Sequence, residues 1–195
     1  CGGCKSQMEA YEKRIGDRQQ EASGAFKRLG QLTEIARLPI IGSEATIYYR
    51  NKLEFPFSNK KFLTPVQLEE LQDDEWPGGA LGYHVPRLYD KIIDISECWL
   101  MDDVNNTIRN TMRDFSIANG YSYYDIKEHK GWLRNVIIRI CTTGELMVNI
   151  VFGYDDKNER ETICKHLLEK VPSITTLLYT INTKWNDTIY DIDTN

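Results

Sequence analysis

The chain has 195 residues, of which 41% are hydrophobic, and this is enough for one large domain or one and a half ordinary ones. Its net charge of −5 excludes a strongly basic nucleic-acid-binding protein, so any RNA-binding face must be local. The sequence lacks a run of roughly 18 apolar residues and a signal peptide, which predicts a soluble, cytoplasmic protein with no membrane partner.

The first predicted element is an amphipathic helix that ends at about Leu29. Gly16 and Gly24 lie inside it, and each costs roughly 0.5–1 kcal/mol relative to alanine, so we expect the helix to depend on a partner surface. Its apolar positions recur at steps of three, four and seven residues, namely Met8, Tyr11, Ile15, Ala22, Phe26 and Leu29.

The middle of the chain predicts three strands and two helices. Asp102 or Asp103 is the expected N-cap of the second helix, and Asn119-Gly120 follows its end. In chain order the elements are a strand at Ala45–Ser58, a short helix near Val66–Leu71, strands around Ala80–Val85 and Lys91–Ile95, and a helix from about Asp102 to Ala118.

The last third predicts a hairpin, a helix and a strand. Two β-branched runs, Trp132–Cys141 and Glu145–Tyr154, are joined by Thr142-Thr143-Gly144. A helix is expected between Asp155 and Lys170, and a strand at about Ile174–Ile181. The predicted fold class is therefore α+β, with a mainly antiparallel sheet, helices on one face in a split βαβ-like order, and an additional N-terminal helix.

The motif Cys1-Gly2-Gly3-Cys4 is the sharpest local feature, because two thiolates at this spacing can hold one metal centre. An iron–sulfur cluster, a structural zinc site and a thiol–disulfide redox pair are all compatible with it. The redox pair is disfavoured because no strand precedes the motif. A metal site needs four ligands. Cys98, between a strand and a helix, is the best third candidate, and a fourth would lie upstream of Cys1.

Four cations on predicted strands are candidate RNA contacts: Arg50, Lys52, Arg134 and Arg139. Arginine with nearby aromatic residues suits RNA, since guanidinium groups bind phosphates and aromatic rings stack on unpaired bases. A solvated sheet face is the alternative. No phosphate-binding glycine loop and no Ser/His/Asp order are present, so no catalytic residue is assigned.

Several motifs in one order resemble the SAM-dependent uracil-5-methyltransferases of tRNA and ribosomal RNA, particularly the 23S rRNA branch. They are Cys1-Gly2-Gly3-Cys4, Tyr49-Arg50-Asn51-Lys52-Leu53-Glu54-Phe55, Leu81-Gly82-Tyr83-His84, Asp94-Ile95 with Cys98, Gly131-Trp132-Leu133-Arg134 with Arg139, Thr143-Gly144-Glu145-Leu146-Met147-Val148, and Tyr179-Thr180-Ile181-Asn182 through Asn186-Asp187.

This resemblance implies a modular enzyme with an N-terminal RNA-binding barrel, a central domain that holds a [4Fe–4S] cluster, and a C-terminal SAM-binding methyltransferase domain. The chain would be the central part, cut from the longer enzyme and inactive alone. Cys1, Cys4 and Cys98 match three of the four cluster ligands, and ribosomal RNA is favoured over tRNA as the substrate.

The expected divisions are residues 1–40 for the CGGC motif and helix, 41–187 for the central α+β domain, and 188–195 for the start of a linker to the methyltransferase domain. Two other functions stay open. The chain could be a CxxC thiol–disulfide oxidoreductase, or a stand-alone module whose N-terminal helix docks a partner.

Overall fold

The structure is a computed structural model that describes residues 8–70 and 78–189. These residues form two compact units, one at 8–49 and one from residue 50 onward, and each is described separately. The elements are α1 (Tyr11–Arg28), β1 (Lys52–Ser58), α2 (Pro65–Glu70), β2 (Ala80–Val85), β3 (Leu88–Asp94), α3 (Val104–Ala118), β4 (Leu133–Ile140), β5 (Leu146–Phe152), α4 (Lys157–Lys170) and β6 (Thr176–Ile181).

The smaller unit contains α1 and an irregular segment. The predicted helix is confirmed, although none of its residues is buried. The Tyr11 hydroxyl accepts a hydrogen bond from the Ser43 backbone N–H at 2.5 Å, which holds residues near position 43 against the helix. Across residues 8–70 and 78–189, no helix is long and apolar enough to cross a membrane.

The larger unit is built on one sheet of six strands in the order β3-β2-β1-β4-β5-β6. All neighbouring strands are antiparallel except β5 and β6, which are parallel. The predicted α+β class with a mainly antiparallel sheet is confirmed. The order is not a split βαβ arrangement, because β1 pairs with β4 and separates it from β2 and β3, and because β5 and β6 pair directly.

The core lies on one face of this sheet. Leu53, Phe55 and Phe57 of β1 alternate in sequence and are buried, as the period of two predicts for a strand with one apolar face. Helix α3 covers this face, and the Arg109 guanidinium lies 5.0 Å from the centre of the Phe55 ring. Helix α4 contacts α3, and the rings of Phe115 and His166 stack at 4.0 Å.

Strand β1 begins at Lys52, later than the predicted start at Ala45. Tyr48 has a φ of 56°, which interrupts the extended backbone that a strand requires. Tyr49, which lies within the predicted strand, is exposed. The alternating pattern is therefore a strand signal only from Lys52 onward.

Candidate functional site

The face of the sheet opposite the core is polar near β1 and β4. Lys52, Glu54 and Pro56 of β1 lie opposite Arg139, Ile137 and Asn135 of β4, respectively. The Lys52 Nζ is 3.3 Å from a Glu54 carboxylate oxygen, and the Asn135 amide nitrogen donates to the other oxygen of Glu54 at 3.4 Å. One continuous surface therefore presents cations at one end and a carboxylate and an amide further along.

Two of the four predicted RNA contacts lie side by side on this polar face. Lys52 and Arg139 are exposed and directly opposite each other on neighbouring strands. Like charges in this position repel, and Glu54 offsets only the charge of Lys52. Within residues 8–70 and 78–189, the Arg139 guanidinium has no hydrogen bond or ion pair. An anion such as a phosphate would be favoured between these two side chains.

Arg50 is exposed and precedes β1, where its backbone N–H donates to the Leu100 carbonyl at 2.7 Å. It therefore lies beside the segment that leads into α3. Its side chain acts on Tyr83, because its charge opposes the rise in the pKa of that phenol. Arg50 is available to an RNA phosphate, but the structure does not place it with Lys52 and Arg139 in one contact.

Arg134 has a different environment from the other three cations, because its side chain is 2% exposed. Its guanidinium carbon lies 4.0 Å from the centre of the Tyr124 ring. Its terminal nitrogens donate to four oxygens of one segment, the carbonyls of Asn182, Lys184 and Asn186 and the carboxylate of Asp187, at 2.7–3.0 Å. Arg134 therefore holds residues 182–187, and this engagement does not support the predicted direct contact with RNA.

A cleft of about 280 Å³ opens beside Arg134 on the polar face. Its lining includes Glu54, Asn135, Tyr89, Tyr124, Arg134 and Asp187. These residues come from three strands and two connecting segments. Sequence reasoning missed the cleft, since Glu54, Arg134 and Asp187 belonged to three separate motifs and no spacing rule joins residues so far apart in the chain.

Two stacked rings stand next to the cleft. His129 and Trp185 are 4.7 Å apart with an angle of 2° between their planes. The Tyr124 hydroxyl, which belongs to the cleft wall, is 3.2 Å from the His129 Nδ1. Trp185 is 78% exposed, so its outer face is available to another ring.

Cys98 lies in a second site, where it is buried in the segment between β3 and α3. Its backbone N–H donates to the Asn106 side-chain oxygen at 2.7 Å, and its carbonyl accepts from the Asn105 amide at 3.2 Å. Arg109 donates to both of these asparagines and to the Ile95 carbonyl. Helix α3 therefore fixes the backbone of Cys98 through buried polar side chains at positions that its apolar pattern left unassigned.

The thiol of Cys98 is 3.6 Å from the Tyr83 hydroxyl. Burial, followed by the hydrogen bond to Cys98, raises the pKa of Tyr83, so the phenol stays protonated. Burial also lowers the pKa of Arg109, an effect that its interaction with Cys98 opposes. The thiol therefore lies beside a protonated phenol, a polar setting that suits a ligand sulfur.

The predicted partners of this thiol, Cys1 and Cys4, lie outside the described residues. Residues 8–70 and 78–189 contain no group of three or more His, Cys, Asp or Glu side chains that could hold a metal ion. One buried, rigidly held thiol is compatible with a cluster ligand but cannot hold a cluster alone. The [4Fe–4S] cluster and its ligand set stay predictions.

No protein-family model matches the chain. An uncharacterized RNA methyltransferase from Bacteroides thetaiotaomicron is 42% identical over 99% of the chain, and another from Porphyromonas gingivalis is 44% identical over 98% of it. The chain belongs to the same family as these RNA methyltransferases. The predicted membership of an RNA methyltransferase family is thereby confirmed. The chain spans 43% and 42% of the lengths of these two relatives, respectively.

A solved structure shares the fold of the chain. It is the Pyrococcus abyssi tRNA (uracil-54, C5)-methyltransferase in complex with S-adenosyl-L-homocysteine, with a TM-score of 0.62. The match covers 97% of this chain and 39% of that protein. Because the two sequences are 19% identical, this likeness establishes the fold.

Proposed function

We propose that the chain is the RNA-contacting central region of a longer, SAM-dependent methyltransferase that modifies uracil C5 in 23S ribosomal RNA. The observation that carries this proposal is the similarity to RNA methyltransferases over 98–99% of the chain. The shared fold with a tRNA uracil-C5 methyltransferase supports uracil C5 as the target and SAM as the methyl donor. A cytoplasmic location, where ribosomal RNA is modified, belongs to the same proposal.

In this proposal the polar face of the sheet binds the RNA backbone. Lys52 and Arg139 supply two exposed positive charges on neighbouring strands, where one phosphate can contact both. Such contacts release counterions from RNA, so affinity falls as salt concentration rises. The net charge of −5 confines this attraction to the local surface.

RNA binding by the chain tests this role. We expect the double variant Lys52→Ala/Arg139→Ala to bind a single-stranded RNA roughly tenfold more weakly, with a shallower dependence of log affinity on log salt concentration. Lys157→Ala/Lys165→Ala on α4 is the matched control. These lysines are more than 70% exposed, and replacing them removes the same amount of charge from another part of the surface. An equal loss of RNA affinity in both double variants would mean that the polar face has no special role in RNA binding.

The methyl-transfer chemistry is assigned to other parts of the longer protein. SAM supplies the methyl group when it is bound, and no catalytic residue is assigned within residues 8–70 and 78–189. The chain's own contribution is to hold the RNA. Adding SAM to the 195-residue chain with RNA should therefore give no 5-methyluridine, and its appearance would contradict this division of labour.

We also propose that Cys98 ligates a [4Fe–4S] cluster together with Cys1, Cys4 and a fourth cysteine of the longer protein. The buried, hydrogen-bonded backbone around Cys98 supports this assignment, because a preorganised ligand loop favours metal binding. Anaerobic reconstitution of the longer protein should give a brown product with about four irons. A Cys98→Ser variant should lose the colour, while Cys141→Ser should keep it. A colourless product that binds only zinc would overturn the cluster.

A further inference from the structure

The cleft on the polar face has dimensions that suit one planar ring system. Its volume of about 280 Å³ lies just below the roughly 300–1,000 Å³ of pockets for drug-sized ligands. Tyr89 lines it and is 62% exposed, and the Lys127 Nζ lies 5.8 Å from the centre of its ring. An aromatic wall of this kind favours a flat, stacked ligand.

Three of the residues that line the cleft carry negative charge. The carboxylates of Glu54, Asp90 and Asp187 all line it, and they disfavour a phosphate inside. Asp90 is paired with Lys127 at 2.6 Å and Asp187 with Arg134 at 2.9 Å. The Glu54 carboxylate has weaker partners, at 3.3 Å and 3.4 Å, so it is the acceptor most available to N–H donors of a ligand.

The cleft also contains donors. The Asn135 amide is 3.4 Å from Glu54, a long hydrogen bond that a better acceptor can replace. Arg134 lines the cleft with its side chain 2% exposed, and its Nε is a buried donor that has no partner among the described residues. Because this nitrogen is buried, the Asn135 amide is the donor that a ligand in the cleft can reach.

The residues around the cleft suit a phosphate and a neighbouring base of the same RNA strand. Lys52 and Arg139 lie on the same face two positions along the strands from Glu54 and Ile137, about 7 Å away at the usual rise of a strand. They are placed to hold a phosphate outside the acidic cleft. Trp185, stacked on His129, offers its exposed ring to a neighbouring base.

From these contacts we propose that the cleft binds one unpaired base of the RNA, with guanine preferred. Guanine offers adjacent N–H donors to the Glu54 carboxylate and an O6 acceptor to the Asn135 amide. Adenine lacks this combination, and a phosphate is repelled by the carboxylates. Trp185 stacks on the next base. This inference deepens the RNA-binding role proposed above and rests on it.

The test measures binding of the 195-residue chain to labelled heptauridine oligonucleotides by fluorescence anisotropy at two salt concentrations. The central position carries guanine, adenine or an abasic sugar. We expect guanine to bind roughly tenfold more tightly than adenine and the abasic oligonucleotide to bind most weakly. Equal affinity for all three, with binding still weakened by salt, would overturn the base cleft and leave the phosphate-binding face intact. Failure of every oligonucleotide to bind would overturn the proposed RNA contact itself.

Two variants separate hydrogen bonding from stacking. Glu54→Gln should reduce the preference for guanine over adenine to less than threefold, with little change for the abasic oligonucleotide. Trp185→Ala should weaken the binding of every oligonucleotide by a similar factor. Tyr154→Ala, which removes a half-exposed ring that does not line the cleft, is the control and should leave the affinity for all three oligonucleotides unchanged. An unchanged preference in a folded Glu54→Gln protein would contradict the proposal.

Discussion

The guanidinium of Arg134 stacks over Tyr124 at 4.0 Å while it donates to the carbonyl of Asn182 at 2.8 Å. One buried side chain thereby connects the centre of the sheet to the segment that follows β6. That segment contains Asp187, which lines the cleft, and Trp185, which stacks on His129 beside it. Arg134 therefore controls the shape of the candidate RNA site without offering a charge to solvent.

Replacing Arg134 should therefore destabilise the protein strongly. An Arg134→Lys variant keeps the charge but cannot reach four oxygens with one ammonium group, so buried carbonyls lose their donors. We expect the free energy of unfolding in urea to fall by roughly 2–4 kcal/mol. Arg139→Lys is the control, and its effect should stay within about 0.5 kcal/mol because that side chain is exposed. Similar values for the two variants would contradict this role.

Asp125 should make the free energy of unfolding depend on pH in the acid range. Burial acts to raise the pKa of its carboxyl, but donors from Asn59, Lys60 and two backbone N–H groups outweigh burial and hold the pKa well below its usual range. Because the pKa is lower in the folded state, the ionised carboxylate stabilises the fold at pH values above its unfolded-state pKa of about 3.9. This stabilisation is lost as pH falls from that value toward the folded-state pKa.

Urea unfolding between pH 6 and pH 3 checks this dependence. The unaltered protein should lose stability steadily as pH falls through about 4, whereas Asp125→Asn should be less stable at pH 6 and lose less on acidification. The exposed Glu169→Gln serves as the control and should follow the unaltered curve. Parallel curves for Asp125→Asn and the unaltered protein would show that Asp125 does not titrate as proposed.

The hydrogen bonds of Asn106 should control access to the thiol of Cys98. Asn106 accepts from the Cys98 backbone N–H and from Arg109, so Asn106→Ala leaves two buried donors without an acceptor. We expect a loss of roughly 2–3 kcal/mol in unfolding free energy and at least tenfold faster alkylation of Cys98 under native conditions.

Peptide mapping by mass spectrometry gives this alkylation rate, with the exposed Cys141 as an internal reference. Asn110→Ala is the matched control on the same helix, because Asn110 donates only to the Ser96 carbonyl and does not touch the backbone of Cys98. An alkylation rate of Cys98 that stays unchanged in Asn106→Ala would show that other contacts hold this segment closed.

Local patterns predicted the elements well where one face is apolar. The hairpin of β4 and β5 was placed to within one or two residues, because β-branched runs flank a glycine with positive φ at Gly144. The start of β1 was misplaced because the backbone at Tyr48 leaves the extended region, which alternating residues do not reveal. Strand order was wrong since pairing of β1 with β4 depends on contacts far apart in the chain.

The candidate site was predicted less completely for the same reason. Glu54 and Asn135 are 81 positions apart and meet only through the pairing of β1 with β4. Arg134 was grouped with the exposed cations because its charge and strand position are visible in sequence, whereas the carbonyls that bind it come from residues 182–186. Cys98 was singled out by its place between a strand and a helix, and the structure adds the side chains that hold it.

Nucleoside mass spectrometry of ribosomal RNA tests the central proposal most directly. The RNA is taken from cells with and without the gene that encodes this chain, and 23S rRNA and tRNA are digested separately. We predict that 5-methyluridine is lost from 23S rRNA when the gene is deleted, is restored by the unaltered gene, and stays unchanged in tRNA. An unchanged amount of 5-methyluridine in 23S rRNA would contradict the proposed substrate and reaction.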